Sequence, residues 1–153
     1  MTATFPTPGP TPDRFAHRLG RRWPSATGAV AAAVSLVLVS PLPDAGQLAV
    51  GAWGVLLAAV IYLGWGSARG ALVERRVLAI QLGAVLGFGA LAIAAVAAGL
   101  EVARFALAGG WLAHAAWDVA HHRAGRVVPR WWAETCAVID VTVALFLLVV
   151  GTW

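Results

Sequence analysis

Charge is what this sequence lacks most. Only 12% of its 153 residues are charged, 60% are apolar, and the mean hydropathy is +0.79. A soluble domain carries roughly 25% charged residues, so this composition excludes an ordinary soluble protein and indicates an integral membrane protein. Lysine is missing altogether, because all 11 basic residues are arginine. A chain rich in arginine and alanine is typical of a GC-rich bacterial genome, and we therefore expect a multi-pass protein of the bacterial cytoplasmic (inner) membrane.

Cysteine and the common catalytic motifs are also scarce. Cys136 is the single cysteine, which excludes an internal disulfide and a cysteine-rich metal cluster. The sequence has no P-loop, no GxSxG elbow, no HExxH and no DDxxD-type motif for diphosphate and magnesium. The last absence argues against a reaction that ionises a prenyl diphosphate. The net charge of +4 comes from arginines in loops, which favours a role in membrane topology, and we expect no nucleic-acid partner.

Five apolar segments fill the rest of the chain, at about residues 25–40, 47–65, 77–100, 102–120 and 133–153. A helix needs about 20 residues to cross the hydrocarbon core, so the first segment is short. No segment alternates between apolar and polar residues, which argues against a β-barrel. The sequence therefore predicts an all-α bundle of five transmembrane helices. We assign residues 1–24 to a proline-rich, basic cytoplasmic leader and residues 25–153 to one transmembrane domain.

Arginine placement gives an independent test of this topology. The positive-inside rule puts arginine-rich loops in the cytoplasm. The leader and the loops at 66–76 and 121–132 hold ten of the arginines, whereas the turns at 41–46 and 99–104 hold only Arg104. This pattern predicts five spans with the N-terminus inside and the C-terminus outside. Glycines in the third and fourth spans predict close helix packing or contact between copies in a homo-oligomer; they are Gly83, Gly87, Gly89, Gly109 and Gly110.

Against this apolar background, one stretch is conspicuously polar: "HAAWDVAHH" in the fourth span. His114, Asp118, His121 and His122 lie on one face of a helix, because residues at i, i+4, i+7 and i+8 share a face. The chain then turns near Pro129 and enters the fifth span through Glu134 and Asp140. Since the two spans are antiparallel neighbours, we expect His114 and Asp140 at a similar depth. An ionisable group in the bilayer costs about 2.5–3.5 kcal/mol, so such a cluster needs a reason.

Acid catalysis is the first chemistry that this cluster suggests. Burial favours the uncharged form of a carboxyl group, so Asp118, Asp140 or Glu134 can serve as a general acid toward a lipophilic substrate, with His114 orienting or reloading it. Aromatic faces stabilise positive charge, which suits carbocation chemistry. We expect no cofactor, and a pocket between the second, fourth and fifth spans. Its predicted substrate-binding residues are Trp53, Tyr62, Trp65, Trp111, Trp117 and Trp132.

Two other interpretations remain open. Histidine and aspartate at helical spacing also bind zinc or iron, which predicts a metal-dependent hydrolase or oxidase with the ligands His114, Asp118, His121 and His122. Alternatively, the protein is a non-catalytic small membrane subunit or lipid-binding protein whose polar cluster docks a partner helix. A lipophilic small molecule and membrane lipid are the expected partners in the enzymatic interpretations.

In overall size, five-span layout and the intramembrane acids Asp118, Glu134 and Asp140 among tryptophans, the chain resembles the small bacterial integral-membrane terpene cyclases. Those enzymes cyclise farnesyl-bearing indole compounds by protonating an alkene or epoxide. The resemblance implies protonation-initiated cyclisation of a prenyl or terpenoid substrate, an isomerase reaction. The histidine-rich stretch is not part of that family's pattern, which keeps the metal-dependent interpretation open.

Overall fold

A computed structural model describes Gly20 and residues 22–150, and helices make up nearly all of this part of the chain. In order they are α1 (Trp23–Val39), α2 (Asp44–Ala68), a short 3₁₀ turn (Ala71–Val73), α3 (Arg75–Ala97), α4 (Leu100–Ala124) and α5 (Arg130–Val149). The prediction of an all-α bundle of five helices is confirmed. The leader up to residue 19 and the end of the fifth predicted span, including Trp153, lie outside the described residues.

Proline and glycine set the helix boundaries. Pro43 and Pro129 immediately precede α2 and α5, where a missing backbone N–H costs nothing. Gly125 closes α4 in the left-handed conformation, with φ +62°, and donates its N–H to the carbonyl of His121 at 2.8 Å. The helix thus extends to Ala124. His121 and His122 are helical, and the predicted loop at 121–132 shrinks to five residues between α4 and α5.

Three of the described helices are long and apolar enough to cross a membrane, namely α2, α3 and α5. The apolar helix α1 has 17 residues and is therefore shorter than the usual span. The remaining helix, α4, has 25 residues but is more polar. The two arginine-rich connections lie at the same end of the bundle, because Arg126 pairs with Glu74 at 2.5 Å and accepts a bond from Arg69. The orientation with the N-terminus inside and the C-terminus outside stays a prediction. The position of both arginine-rich connections at one end is consistent with it.

The central helix of the bundle is α4, which packs against α2, α3 and α5. Helix α1 packs mainly on α5, and small residues allow the two backbones to approach closely. A Cβ at Gly28 would lie 2.5 Å from the carbonyl oxygen of Thr135. The Thr135 hydroxyl also donates to the carbonyl of Pro24 at 3.1 Å. This arrangement leaves the polar face of α4 in the interior, between α2, α3 and α5.

Candidate functional site

Four polar residues meet in the interior of the bundle, and we call them the polar cluster: Tyr62, His114, Asp118 and Asp140. Three of them have no exposed surface and Asp140 is 2% exposed. Helix α4 supplies His114 and Asp118 one turn apart, and α2 and α5 each add one residue. The expectation that His114 and Asp140 lie at the same depth is confirmed by their direct contact. The cluster lies well within the bundle, about three turns from the α4–α5 connection.

Two hydrogen bonds and one longer contact connect the four residues of the polar cluster. Nδ1 of His114 lies 2.7 Å from Oδ2 of Asp140 and 3.5 Å from Oδ1 of Asp118. A carboxylate can only accept, so the ring nitrogen donates its proton to Asp140. The Tyr62 hydroxyl donates a short hydrogen bond to Oδ1 of Asp118. The contacts therefore run in the order Tyr62, Asp118, His114, Asp140, and the longest of them joins Asp118 to His114.

Two atoms of the polar cluster lack a hydrogen-bond partner, and we call them the open atoms. Nε2 of His114 and Oδ2 of Asp118 are buried and have no hydrogen-bond partner among the described residues. Buried polar atoms are nearly always satisfied, so each open atom requires an explanation. The net charge of the polar cluster provides an explanation. With a neutral imidazole and two carboxylates the cluster would carry two negative charges, and two additional protons or one divalent cation restore neutrality. The open atoms are the places where those protons would bind.

His121 belongs to a separate network. Its Nδ1 lies 2.9 Å from the carbonyl oxygen of Trp117, which cannot donate, so Nδ1 carries the proton. Its Nε2 then accepts from the amide of Gln81 at 2.9 Å. Both ring nitrogens are occupied, which leaves none for a metal. Sequence reasoning missed Gln81, although a single amide in the apolar helix α3 is a signal that could have identified it.

The four ligands of the metal interpretation do not come together. His121 is bonded as described, and His122 lies at the edge of the bundle, with Nε2 4.0 Å from Oε2 of Glu134. The group whose ligand atoms do approach one another within 4.8 Å is His114, Asp118 and Asp140. This correction replaces two histidines with one aspartate from the neighbouring helix. A periodic pattern on α4 alone cannot reveal a ligand that α5 contributes.

Glu134 lies apart from the polar cluster. It accepts a hydrogen bond from the Ser25 hydroxyl at 2.5 Å and is about one-third exposed. The bond links the first turn of α5 to α1, near the end of the bundle that carries the arginine-rich connections. Of the three acids proposed from the sequence, only Asp118 and Asp140 share a site.

Four of the six predicted aromatic residues share one cluster, in which Trp65, Trp117 and Trp132 pack against a buried core that contains Tyr62. Trp53 is 54% exposed on the outer surface and is not part of this site, while Trp111 is buried against Gly54. Trp65 and Trp132 contact each other, with ring centroids 5.8 Å apart, near the α4–α5 connection. Among the described ring pairs, Tyr62 and Trp117 are the members of the predicted set that pair with a histidine ring.

Aromatic rings of α2 and α3 pack on the histidines of α4. The Tyr62 ring lies edge-on to both His114 and His121, with centroids 5.5 Å and 5.0 Å away. Phe88 of α3 packs on His114 at 5.1 Å, and sequence reasoning did not select it. Phe88 carries no chemical signal of its own, and only the packing of α3 on α4 makes it relevant.

Two apolar grooves of about 580 Å³ flank α4. The α3–α4 groove is lined by Phe88, Leu91, Phe105, Trp117 and small residues of both helices. The α4–α5 groove is lined by Val119, Val138 and Val141, with His122, Arg123 and Glu134 also in its wall. Both volumes fall within the range of about 300–1,000 Å³ of small-molecule sites. These grooves do not coincide with the pocket predicted between the second, fourth and fifth spans.

Comparison of the chain with protein-family models, curated proteins and solved structures finds no significant match.

Proposed function

We propose that this protein is a membrane enzyme that transfers a proton between the polar cluster and a lipophilic substrate. One observation carries the proposal. A connected chain of four ionisable groups is sealed in an apolar bundle and keeps two polar atoms, Nε2 of His114 and Oδ2 of Asp118, without partners. Each unsatisfied buried group costs about 1–3 kcal/mol, and the polar cluster holds two of the eight such atoms among the described residues.

The neutral form of the cluster is the form suited to donate protons. Tyr62 and Nδ1 of His114 already donate within the cluster, so the two additional protons of the neutral form go to the open atoms. One makes an imidazolium at Nε2 of His114 and the other makes a carboxylic acid at Oδ2 of Asp118. Asp140 holds the imidazolium through its 2.7 Å bond. The apolar surroundings remove competing water, which strengthens each electrostatic interaction within the cluster.

The α3–α4 groove provides the route to these atoms. Phe88 lines that groove and its ring also packs on His114, so the same ring separates a lipophilic space from the imidazole. Rotation of Phe88 about its side-chain bonds would bring a molecule in the groove to the cluster. Trp117, in the same wall, offers a face to a cationic intermediate.

The reaction that this arrangement favours is an isomerisation or cyclisation of an alkene. The acid transfers its proton to one alkene carbon, the π electrons form the new C–H bond, and the adjacent carbon becomes a carbocation. A second alkene can then attack the cation and close a ring. Loss of a proton to the conjugate base regenerates the cluster, so no oxidant, reductant or co-substrate is required. A prenyl or terpenoid substrate, as the resemblance to membrane terpene cyclases implies, has the necessary double bonds and no charge.

Solvent deuterium provides the test. Membranes containing the protein are incubated in deuterated buffer with a panel of uncharged polyprenyl compounds, and products are separated by chromatography and mass spectrometry. We expect a product that separates from its substrate and carries deuterium at carbon. Asp118→Asn and Asp140→Asn should reduce its formation at least a hundredfold, the usual contribution of general acid catalysis. Asp44→Asn, at the exposed start of α2, is the matched control and should retain full activity. Normal deuterium incorporation in both cluster variants would refute the proposal.

A second candidate function has its own observation. The ligand atoms of His114, Asp118 and Asp140 lie within 4.8 Å of one another, and two carboxylates would balance the charge of a divalent cation. The site would then belong to a metal-dependent hydrolase or oxidase, with zinc or iron as the cation and three protein ligands. Elemental analysis of the purified protein and of Asp140→Asn decides between the candidates. One equivalent of metal in the native protein that is lost in the variant would replace the acid mechanism with this one.

A further inference from the structure

The α4–α5 groove has a different character from the polar cluster. It is apolar along Val119, Ala137, Val138 and Val141, and it is polar where His122, Arg123 and Glu134 contribute to its wall. Those three residues lie in the last turns of α4 and the first turns of α5. They are therefore near the α4–α5 connection, at the arginine-rich end of the bundle. An apolar groove with charges at one end matches an amphiphile with its headgroup at the membrane surface.

Both signs of charge are available at this end. Arg123 is exposed and forms no ion pair within the described part of the chain, since the arginine that pairs with an acid there is Arg126. Glu134 receives the Ser25 hydroxyl on Oε1, whereas Oε2 has only His122, at 4.0 Å, which is too long for a hydrogen bond. A guanidinium and one carboxylate oxygen are thus open beside the same groove.

We propose that the α4–α5 groove binds a zwitterionic phospholipid that carries a primary ammonium, that is, a phosphatidylethanolamine. The phosphate would bind Arg123, since a guanidinium presents paired donors to phosphate oxygens. The ammonium would donate to Oε2 of Glu134, and an acyl chain would lie along the valines of the groove. An anionic phospholipid could also place its phosphate on Arg123, but it would leave the Glu134 carboxylate without a cationic partner. A choline headgroup has no N–H to donate.

This site shares no residue with the polar cluster and does not depend on the proposed reaction. It also gives the Ser25–Glu134 bond a function, because the bond fixes one carboxylate oxygen and directs the other toward the groove. The hydroxyl of α1 would act as a positioning group for the headgroup ligand on α5.

The test uses delipidated protein in detergent and three phospholipids with identical acyl chains, bearing ethanolamine, glycerol or choline headgroups. Native mass spectrometry measures the bound lipid. We expect the ethanolamine lipid to bind several-fold more tightly than the other two. Glu134→Gln should abolish its advantage over choline, and Arg123→Gln should weaken all three lipids by up to about fivefold, the upper value for a partly exposed ion pair.

Matched controls come from the neighbouring ion pair. Glu74→Gln and Arg126→Gln remove the same groups at the same end of the bundle but outside the groove, and should leave the preference unchanged. Asp118→Asn should also retain it, which separates this proposal from the proposed catalytic function. Stronger binding of the glycerol lipid, equal binding of all three, or an unchanged preference in Glu134→Gln would each overturn the proposal.

Discussion

Removal of the two partners of the 2.7 Å bond between His114 and Asp140 should have unequal effects on stability. Asp140→Ala deletes the acceptor, but Oδ1 of Asp118 is 3.5 Å from the same nitrogen, less than an ångström farther away. Asp118 can take over the bond after a small shift. The expected loss is about 1.5–3 kcal/mol, the value of a hydrogen bond to a charged group.

His114→Ala has no such substitute. It leaves Asp118 and Asp140 as two buried carboxyl groups without their base, and it opens a cavity beside Phe88. Breaking a buried charged pair by removal of one member costs about 3–5 kcal/mol. The double variant, His114→Ala with Asp140→Ala, removes the base and one acid together and leaves Asp118 bonded to Tyr62. Its loss should be close to that of His114→Ala alone, which gives a coupling energy of about 1.5–3 kcal/mol.

The assay is reversible unfolding of the purified protein in mixed micelles with increasing SDS, followed by the fluorescence of its eight tryptophans. Asp44→Ala at the exposed start of α2 is the control and should change stability by less than about 0.5 kcal/mol. Additive losses in the double variant would show that the pair is not coupled. A loss for Asp140→Ala as large as that for His114→Ala would show that Asp118 does not take over the bond.

Two further predictions concern packing and the second network. Gly28→Ala should destabilise the protein by about 1–3 kcal/mol because its Cβ would meet the Thr135 carbonyl, whereas Gly83→Ala, with open space around it, should be neutral or stabilising by up to about 1 kcal/mol. Thermal unfolding of the two variants in detergent measures the difference. Equal shifts in the two variants would contradict the close approach of α1 and α5. Gln81→Leu should cost about 1–3 kcal/mol by leaving Nε2 of His121 buried and unpaired, as measured by the same unfolding, and a neutral effect would contradict the bond between these side chains.

Much of the fold follows from the sequence because several helix boundaries carry a local signal. Proline precedes α2 and α5, glycine ends α4, and arginine marks two of the connections. The contact between His114 and Asp140 was also predictable, because an antiparallel hairpin with a short connection places residues equally far from the turn at the same depth. These predictions required only helical geometry and the order of the elements along the chain.

The rest of the site depends on which helices become neighbours. Helices α2 and α3 bring Tyr62 and Phe88 to the cluster, and no periodic pattern in either helix encodes the partner it will contact. Trp53 illustrates the same point, because the sequence pattern indicates its depth but not its position around α2, where it is 54% exposed. The position of a residue along its helix sets its depth in the membrane, whereas the packing of the helices decides whether its side chain faces a site.

Helix α4 shows how these levels combine. By hydropathy it is not among the helices apolar enough to span a membrane alone, since it carries His114, Asp118 and His121 within its length. In the bundle those three side chains are buried against α2, α3 and α5, so protein rather than lipid surrounds them. The three apolar helices thereby supply the low-dielectric environment, and α4 supplies the ionisable groups that this environment makes costly to leave charged. Such an arrangement costs stability in a membrane protein, and the proposed proton transfer to a lipophilic substrate would give that cost a function.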